Sequence, residues 1–547
     1  MPRLFHFLCM TGLALLTGVL SASAATAPDV VSVESGKLQG VMNSDNTVRI
    51  FKGVPFAAAP VGELRWKPPQ PPVKWTGIRQ ADKFGSACLQ NKVFGDIYWR
   101  DNQPSEDCLN LTIWVPAKRA SKKLPVFVWY YGGGFVAGSS SEPRYDGENL
   151  AKKGVIVVNA NYRLGVFGFL AHPELTKESG RNASGNYGML DQVAALQWVV
   201  NNIAAFGGDP KDITIGGESA GSLSVSGLMA SPLSSGLFQK AIGESGAFFS
   251  GSGTGLGQTT LADAEKTGLR FAAKVGAKSL ADLRAKTGAE LLDVTKPIPG
   301  TMNGEFSFGP IIDGYFLPTS ALEIYTSGEQ AHIPLLAGWN ADEGKMMVLF
   351  NPVKPNVKSF AERAQKRFGG DAAEFLKLYP SATDQQAVRS AMDLSGDDFI
   401  AYGTWKWLDT HRQTGQSPVY QYHFEQIPAT RPGEMIGPVP ASEWGSKHAG
   451  EIEYVFQTLK SQQGVPWTDD DFRLSDLISS YWTNFIKTGN PNGKGLPEWP
   501  KCEAKNGYKV MRLIDDKSHA SADDRRGRYE FLDAHSVKPQ AKATAHQ

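Results

Sequence analysis

The sequence predicts an α/β protein: a large, mostly parallel sheet flanked by helices. Short apolar runs that break at glycine alternate with a segment of helical period, the rhythm of strands joined by crossover helices. The 547 residues are 41% hydrophobic, with 58 Gly and 33 Pro, enough for a large core with many turns. No period of 20–50 residues recurs, which disfavours a solenoid.

The chain opens with MPRLFHFLCMTGLALLTGVLSASA, where Arg3 precedes an apolar run from Phe7 to Leu20 and Ala22-Ser23-Ala24 offers a cleavage site. Residues 1–24 read as a signal peptide, cut near Ala24, that sends the chain to the periplasm or outside the cell. Leu124–Tyr130 is a strand ending at Gly132-Gly133-Gly134, and Val155–Tyr162 is a second. Between Asn186 and Phe206, Leu190, Val193, Leu196, Val199 and Ile203 recur every three or four residues, a helix stopped by Gly207-Gly208-Asp209-Pro210. Ile213–Gly216 is a strand and Ala220–Met229 a helix. Residues 333–338 and 419–424 add further strands. No low-complexity linker follows, so residues 25–534 read as one domain with insertions, and 535–547 as a disordered tail.

Lys and Arg number 56 against 55 Asp and Glu, a formal charge of +1, which offers no general attraction for nucleic acid or an anionic membrane. Beyond the N-terminus no apolar run reaches the roughly 18 residues of a spanning helix. Export permits disulfides among Cys88, Cys108 and Cys502, and three pairings are open. Closing the Cys88–Cys108 loop is worth roughly 3 kcal/mol. No Cys or His has zinc-like spacing, so no metal or cofactor is expected.

Gly217-Glu218-Ser219-Ala220-Gly221 is a G-x-S-x-G between a predicted strand and a predicted helix. A sharp turn there raises a serine hydroxyl above the sheet edge, next to a helix N-terminus suited to a developing oxyanion. The glycine turn after Tyr131 supplies further amides without a Cβ in their way. A base and an orienting acid are expected in the order Ser, Asp/Glu, His. His448 lies on a loop, whereas His423 sits in an alternating strand pattern. For the acid, Asp342 and Glu343 are equivalent on local grounds.

Further motifs are Phe51-Lys52-Gly53-Val54-Pro55-Phe56-Ala57, Ser105-Glu106-Asp107-Cys108-Leu109-Asn110-Leu111, Asn161-Tyr162-Arg163-Leu164-Gly165 and Gly489-Asn490-Pro491-Asn492. With these, nearly the whole chain resembles the type B carboxylesterases, the family of the cholinesterases and bacterial p-nitrobenzyl esterases. The resemblance implies an α/β-hydrolase fold, with Ser219 as nucleophile, Glu343 rather than Asp342 as acid, and His448 as base. It implies the amides of Gly133, Gly134 and Ala220 as oxyanion donors, Ser245 as a hydrogen-bonding neighbour of the acid, and a Cys88–Cys108 disulfide that leaves Cys502 free. Tyr131 stands where many relatives carry His.

The expected activity is hydrolysis of a small-molecule carboxylic ester through an acyl-enzyme on Ser219, without cofactor. Glu218 is a neighbour that favours a cationic substrate or orders water, and Trp99, Phe135 and Trp444 are candidate pocket walls. Lipase, polyester or toxin-ester hydrolase, amidase, and a non-catalytic binding protein on the same fold are the alternatives; the sequence leaves the oligomeric state open.

Overall fold

The computed structural model describes residues 30–100, 103–118, 120–249, 258–298 and 304–536; the expected signal peptide and the tail from 537 lie outside them. The central sheet has eleven strands. In chain order they are β1 (Val41–Met42), β2 (Val48–Pro55), β3 (Asn110–Pro116), β4 (Leu124–Tyr130), β5 (Ile156–Ala160) and β6 (Gly208–Glu218), then β7 (Lys240–Glu244), β8 (Leu335–Asn340), β9 (Val419–Phe424), β10 (Val510–Leu513) and β11 (His519–Ser521). Across the sheet they lie β1-β2-β3-β5-β4-β6-β7-β8-β9-β10-β11. From β5 through β10 every neighbouring pair is parallel. The pairings at the two ends are antiparallel, so the sheet is mixed, with a parallel centre.

The parallel centre explains the apolar runs. Every residue of β5, β7, β8 and β9 is buried, because helices cover both faces and no side of the strand meets water. Helices Tyr187–Asn202, Ala220–Ala230 and Tyr402–Thr414 pack on one face, and Glu148–Lys152 and Asp469–Thr488 on the other. The predicted helix ends as a short 3-10 turn capped by Gly207 at φ +93°, a left-handed conformation that glycine adopts without a steric penalty. Strand β6 is longer than the apolar run suggested: it begins at Gly208 and runs through Asp209 and Pro210, which read as punctuation in the sequence. Among the described residues no helix is long and apolar enough to cross a membrane.

Two features of the topology prepare a site. The order β5-β4-β6 means that the chain leaves β4 toward one side and reaches β6 on the other, which opens a crevice beyond their carboxyl ends. The strand ends are also level. Tyr130 pairs with Gly217, Glu218 with Glu244 and Glu244 with Gly338, so the segments that follow β4, β6, β7 and β8 emerge side by side.

Candidate active site

Ser219 stands at the turn between β6 and helix Ala220–Ala230, with φ +55° and ψ −120°. That conformation costs a non-glycine residue on the order of 1–3 kcal/mol and persists only where the surroundings enforce it. They do so through close packing. A Cβ on Gly221 would collide with the Tyr130 carbonyl, and one on Gly217 with the Gly221 backbone, so both flanking glycines let the helix press onto the strand ends. The Ser219 amide donates to the Glu244 carbonyl at 2.9 Å, which fixes the turn against β7.

The glycine turn after β4 lies against this elbow: a Cβ on Gly132 would sit 2.6 Å from Glu218 Oε2 and 3.0 Å from the Ser219 Cβ. Gly133 and Gly134 have φ of +100° and +63°. Among the described residues no backbone hydrogen bond consumes either amide, while the Gly133 carbonyl accepts from Val136 and Ala137. Ala220 is the first residue of its helix, where an amide has no partner within the helix. These three amides have no backbone partner among the described residues.

Glu343 and His448 arrive from β8 and from the loop before helix Ile452–Phe456. His448 Nδ1 lies 2.5 Å from Glu343 Oε2. The other carboxylate oxygen of Glu343 accepts from the Ser245 hydroxyl at 2.6 Å and from the Asn340 amide at 2.8 Å. Asp342, equivalent to Glu343 on local grounds, turns the other way. It accepts from the Ser446 amide and pairs with Arg389, anchoring the loop that carries His448. Ser245 also has positive φ, +52°, a second strained serine at the end of a neighbouring strand.

The second imidazole nitrogen faces Glu218: His448 Nε2 is 3.2 Å from Glu218 Oε1. Among the described residues the Ser219 hydroxyl makes no hydrogen bond to it. Burial opposes the charge on His448, but Glu218 and Glu343 together outweigh burial and raise its pKa to about 10. Burial in turn pushes Glu218 up to about 8, against the pull of His448. Behind them lie two further buried acids. Glu451, which accepts from Asn340 Nδ2 at 2.6 Å, rises to about 7 through burial and the Glu343 charge. Glu244, which accepts from the Trp482 indole at 2.7 Å, is pushed well above the usual carboxylate range by burial. Buried acids thus surround one partly exposed imidazole.

The remaining candidates occupy varied places. Phe135 is buried among Phe169, Phe248 and Tyr162, as a core ring. Trp444 packs edge-on against Phe350 at 5.5 Å, joining the segments around Glu343 and His448. Trp99 is half-buried in the loop closed by the Cys88–Cys108 disulfide. In that loop the side chain that reaches the glycine turn is Ile97, whose Cδ1 would lie 3.3 Å from a Cβ on Gly133. Nothing in the local sequence marked Ile97. Tyr131 stacks on Tyr162 at 4.5 Å, and the Tyr162 hydroxyl donates to its carbonyl. Cys502 is buried and free. Among the described residues no cluster of His, Cys, Asp or Glu is arranged to hold a metal ion.

A parallel-centred sheet with a strained serine at the crevice, a glycine turn beside it and an acid–imidazole pair opposite defines an α/β-hydrolase. The profile of the Carboxylesterase family matches residues 27–532, and the chain belongs to that family. It is 37% identical over 503 residues to fumonisin B1 esterase of Sphingopyxis macrogoltabida, covering 89% of this chain and 87% of that protein. It is 35% identical to carboxylesterase 5A of Canis lupus familiaris, over 91% of this chain and 88% of the relative. Identity to the human cocaine esterase is 33%, over 87% and 86%. The protein is a carboxylic ester hydrolase.

Proposed function

We propose that the ester is cleaved by acyl transfer to Ser219. His448 accepts the Ser219 proton as Oγ attacks the ester carbonyl, and Glu343 stabilises the imidazolium through the 2.5 Å contact at Nδ1. The amides of Gly133, Gly134 and Ala220 receive the oxyanion. His448 returns the proton to the leaving alcohol, and water then repeats the attack on the acyl-enzyme. Glu218 and Ser219 are consecutive, and Nε2, which faces Glu218 at 3.2 Å, is the ring nitrogen left to take the hydroxyl proton. Ser245 and Asn340 hold the acid in place. The observation that supports this reading is that Glu218, the neighbour of Ser219 at the end of β6, and Glu343, beyond β8, both meet the imidazole of His448.

The substrate we propose is a small-molecule ester with apolar groups. Met347, Phe350 and Met435, on the segments that leave Glu343 and approach His448, are all more than 40% exposed, and Phe350 leans on Trp444. Such apolar side chains suit an apolar acyl or alcohol group. The relatives named fumonisin B1 esterase and cocaine esterase make bulky multifunctional esters worth testing. We further propose that residues 1–24 are removed on export and that 25–534 form the catalytic domain; the Cys88–Cys108 disulfide supports an oxidising compartment.

The test is a panel of esters varying in acyl length and alcohol charge, assayed with the native protein and Ser219→Ala. Turnover of p-nitrophenyl acetate and butyrate should vanish in the variant. Full turnover by Ser219→Ala would overturn the mechanism. Preference for cationic alcohols would point to Glu218 as a cation-binding residue, and a rate jump at an oil–water interface to a lipase.

A further inference from the structure

A ring not used above reaches the imidazole. Phe399 lies 5.1 Å from His448, centroid to centroid, with the two planes at 73°. It sits in the middle of Asp397–Ala401, a π-helical turn between the α-helices Asp384–Gly396 and Tyr402–Thr414. A π turn holds one more residue than an α turn, so the side chains beyond it are rotated by about 100° relative to an uninterrupted helix. Such turns are rare and are frequently found at functional sites.

The turn is pinned on both sides. The Tyr379 hydroxyl donates to Asp397 Oδ2 at 2.7 Å, and Arg367 grips Asp398 with two hydrogen bonds of 2.6 and 2.8 Å. The preceding helix packs closely on the residue after the acid, because a Cβ on Gly344 would overlap the Gly396 amide. The residue after Glu343 and the helix leading to Phe399 therefore meet backbone to backbone. Phe399 is only half-buried, so core packing alone does not account for the irregular turn that presents it.

We infer that Phe399 is a positioning residue that confines the imidazole of His448 between Glu218 and Glu343, within reach of Ser219. Glu343 fixes one nitrogen only, and a ring held at one point still swings about its bond to Cβ. A phenyl ring against the imidazole restricts that swing. The inference rests on the reading of Ser219, Glu343 and His448 given above.

The experiment uses the full chain and p-nitrophenyl acetate, with Phe399→Ala, Phe399→Leu, Phe399→Tyr and Ser219→Ala. Displacing a reacting group by ~1 Å costs up to ~100-fold, so Phe399→Ala should lose about 10-fold or more in kcat with KM within about twofold. The rate at which an organophosphate labels Ser219 should fall by the same factor, and Phe399→Tyr should return both to within about twofold of the native values. An unchanged kcat, or a raised KM with kcat intact, would overturn the inference and make the ring a pocket wall. If Phe399→Ala fails to fold, Phe399→Leu keeps the apolar bulk without the ring. Its kcat should fall about threefold or more, and native kcat in that variant would overturn the inference. Activity in Ser219→Ala would defeat the underlying mechanism instead, whereas an inactive Ser219→Ala with a normal Phe399→Ala defeats this inference alone.

Discussion

Replacing Glu218 with Gln should move the acid limb of the pH–rate profile to lower pH. The base must be neutral to accept the Ser219 proton, and two carboxylates favour its cation in the resting arrangement. The Glu218 oxygen is 3.2 Å from Nε2. With both charges delocalised, their centres are about 4.5 Å apart, and at an effective dielectric constant near 20 the attraction is about 4 kcal/mol, close to three pKa units. That is an upper bound, because Glu218 is itself pushed up to about 8 and carries its full charge only above that pH. The two groups titrate as a pair, and a displacement of about one to two units is expected. The native limb should lie above the ordinary imidazole value, since Glu218 and Glu343 both raise His448, and the Gln variant should lie lower but still above ~6.5, because Glu343 remains. The assay is kcat/KM for p-nitrophenyl acetate from pH 5 to 10 at constant ionic strength. A limb that stays put, or moves to higher pH, would refute the electrostatic account of the site.

Three further outcomes follow from the same geometry. Gly133→Ala should lower kcat by about 100-fold or more, because its φ of +100° and the clash of a new Cβ with the Ala137 carbonyl force the oxyanion turn to shift; a modest KM effect alone would count against the role of that amide. Cys88→Ser with Cys108→Ser should cost about 3 kcal/mol in denaturant unfolding and also reduce kcat, since Ile97 would lose its hold on Gly133. The contribution of His411 and His423 to stability should be lost as pH falls from about 6.5 to 4: burial lowers both to about 4, so the unfolded chain binds these protons first, whereas the raised acids Glu218 and Glu451 contribute with the opposite sign. The shift of about 2.5 units is worth about 3 kcal/mol per histidine, and His423→Gln should flatten the fall of Tm in that window.

What the sequence disclosed follows from the range of the interactions involved. The elbow at Ser219 was legible because strand, turn and helix are contiguous, and their glycines have a steric reason within five residues. Strands β4 and β5 were legible as apolar runs, because burial on both faces leaves no polar alternation, whereas β9 was read from an alternating pattern although all its residues are buried. The choice between Asp342 and Glu343 was not legible locally. Both sit on one turn, and only the arrival of the His448 loop separates the residue that meets the imidazole from the one that anchors the loop. The resemblance made that choice, and Glu343 is the one of the two whose carboxylate lies against His448 Nδ1. Glu218 facing Nε2, Ile97 against Gly133 and Phe399 against His448 all depend on long-range packing. Phe399 was doubly hidden, since an inserted residue in a π turn breaks the period by which helical faces are read. Pro210 misled for the opposite reason: at the first turns of β6 it needs no ladder amide, and the strand runs through it.

The most direct measurement of the central claim is to trap the acyl group. Rapid mixing with p-nitrophenyl butyrate, an acid quench within the first turnover and peptide mass mapping should place one butyryl group on Ser219. The same adduct should be absent from Ser219→Ala. An adduct on another residue, or steady turnover with no acylated Ser219 at any time, would contradict the account.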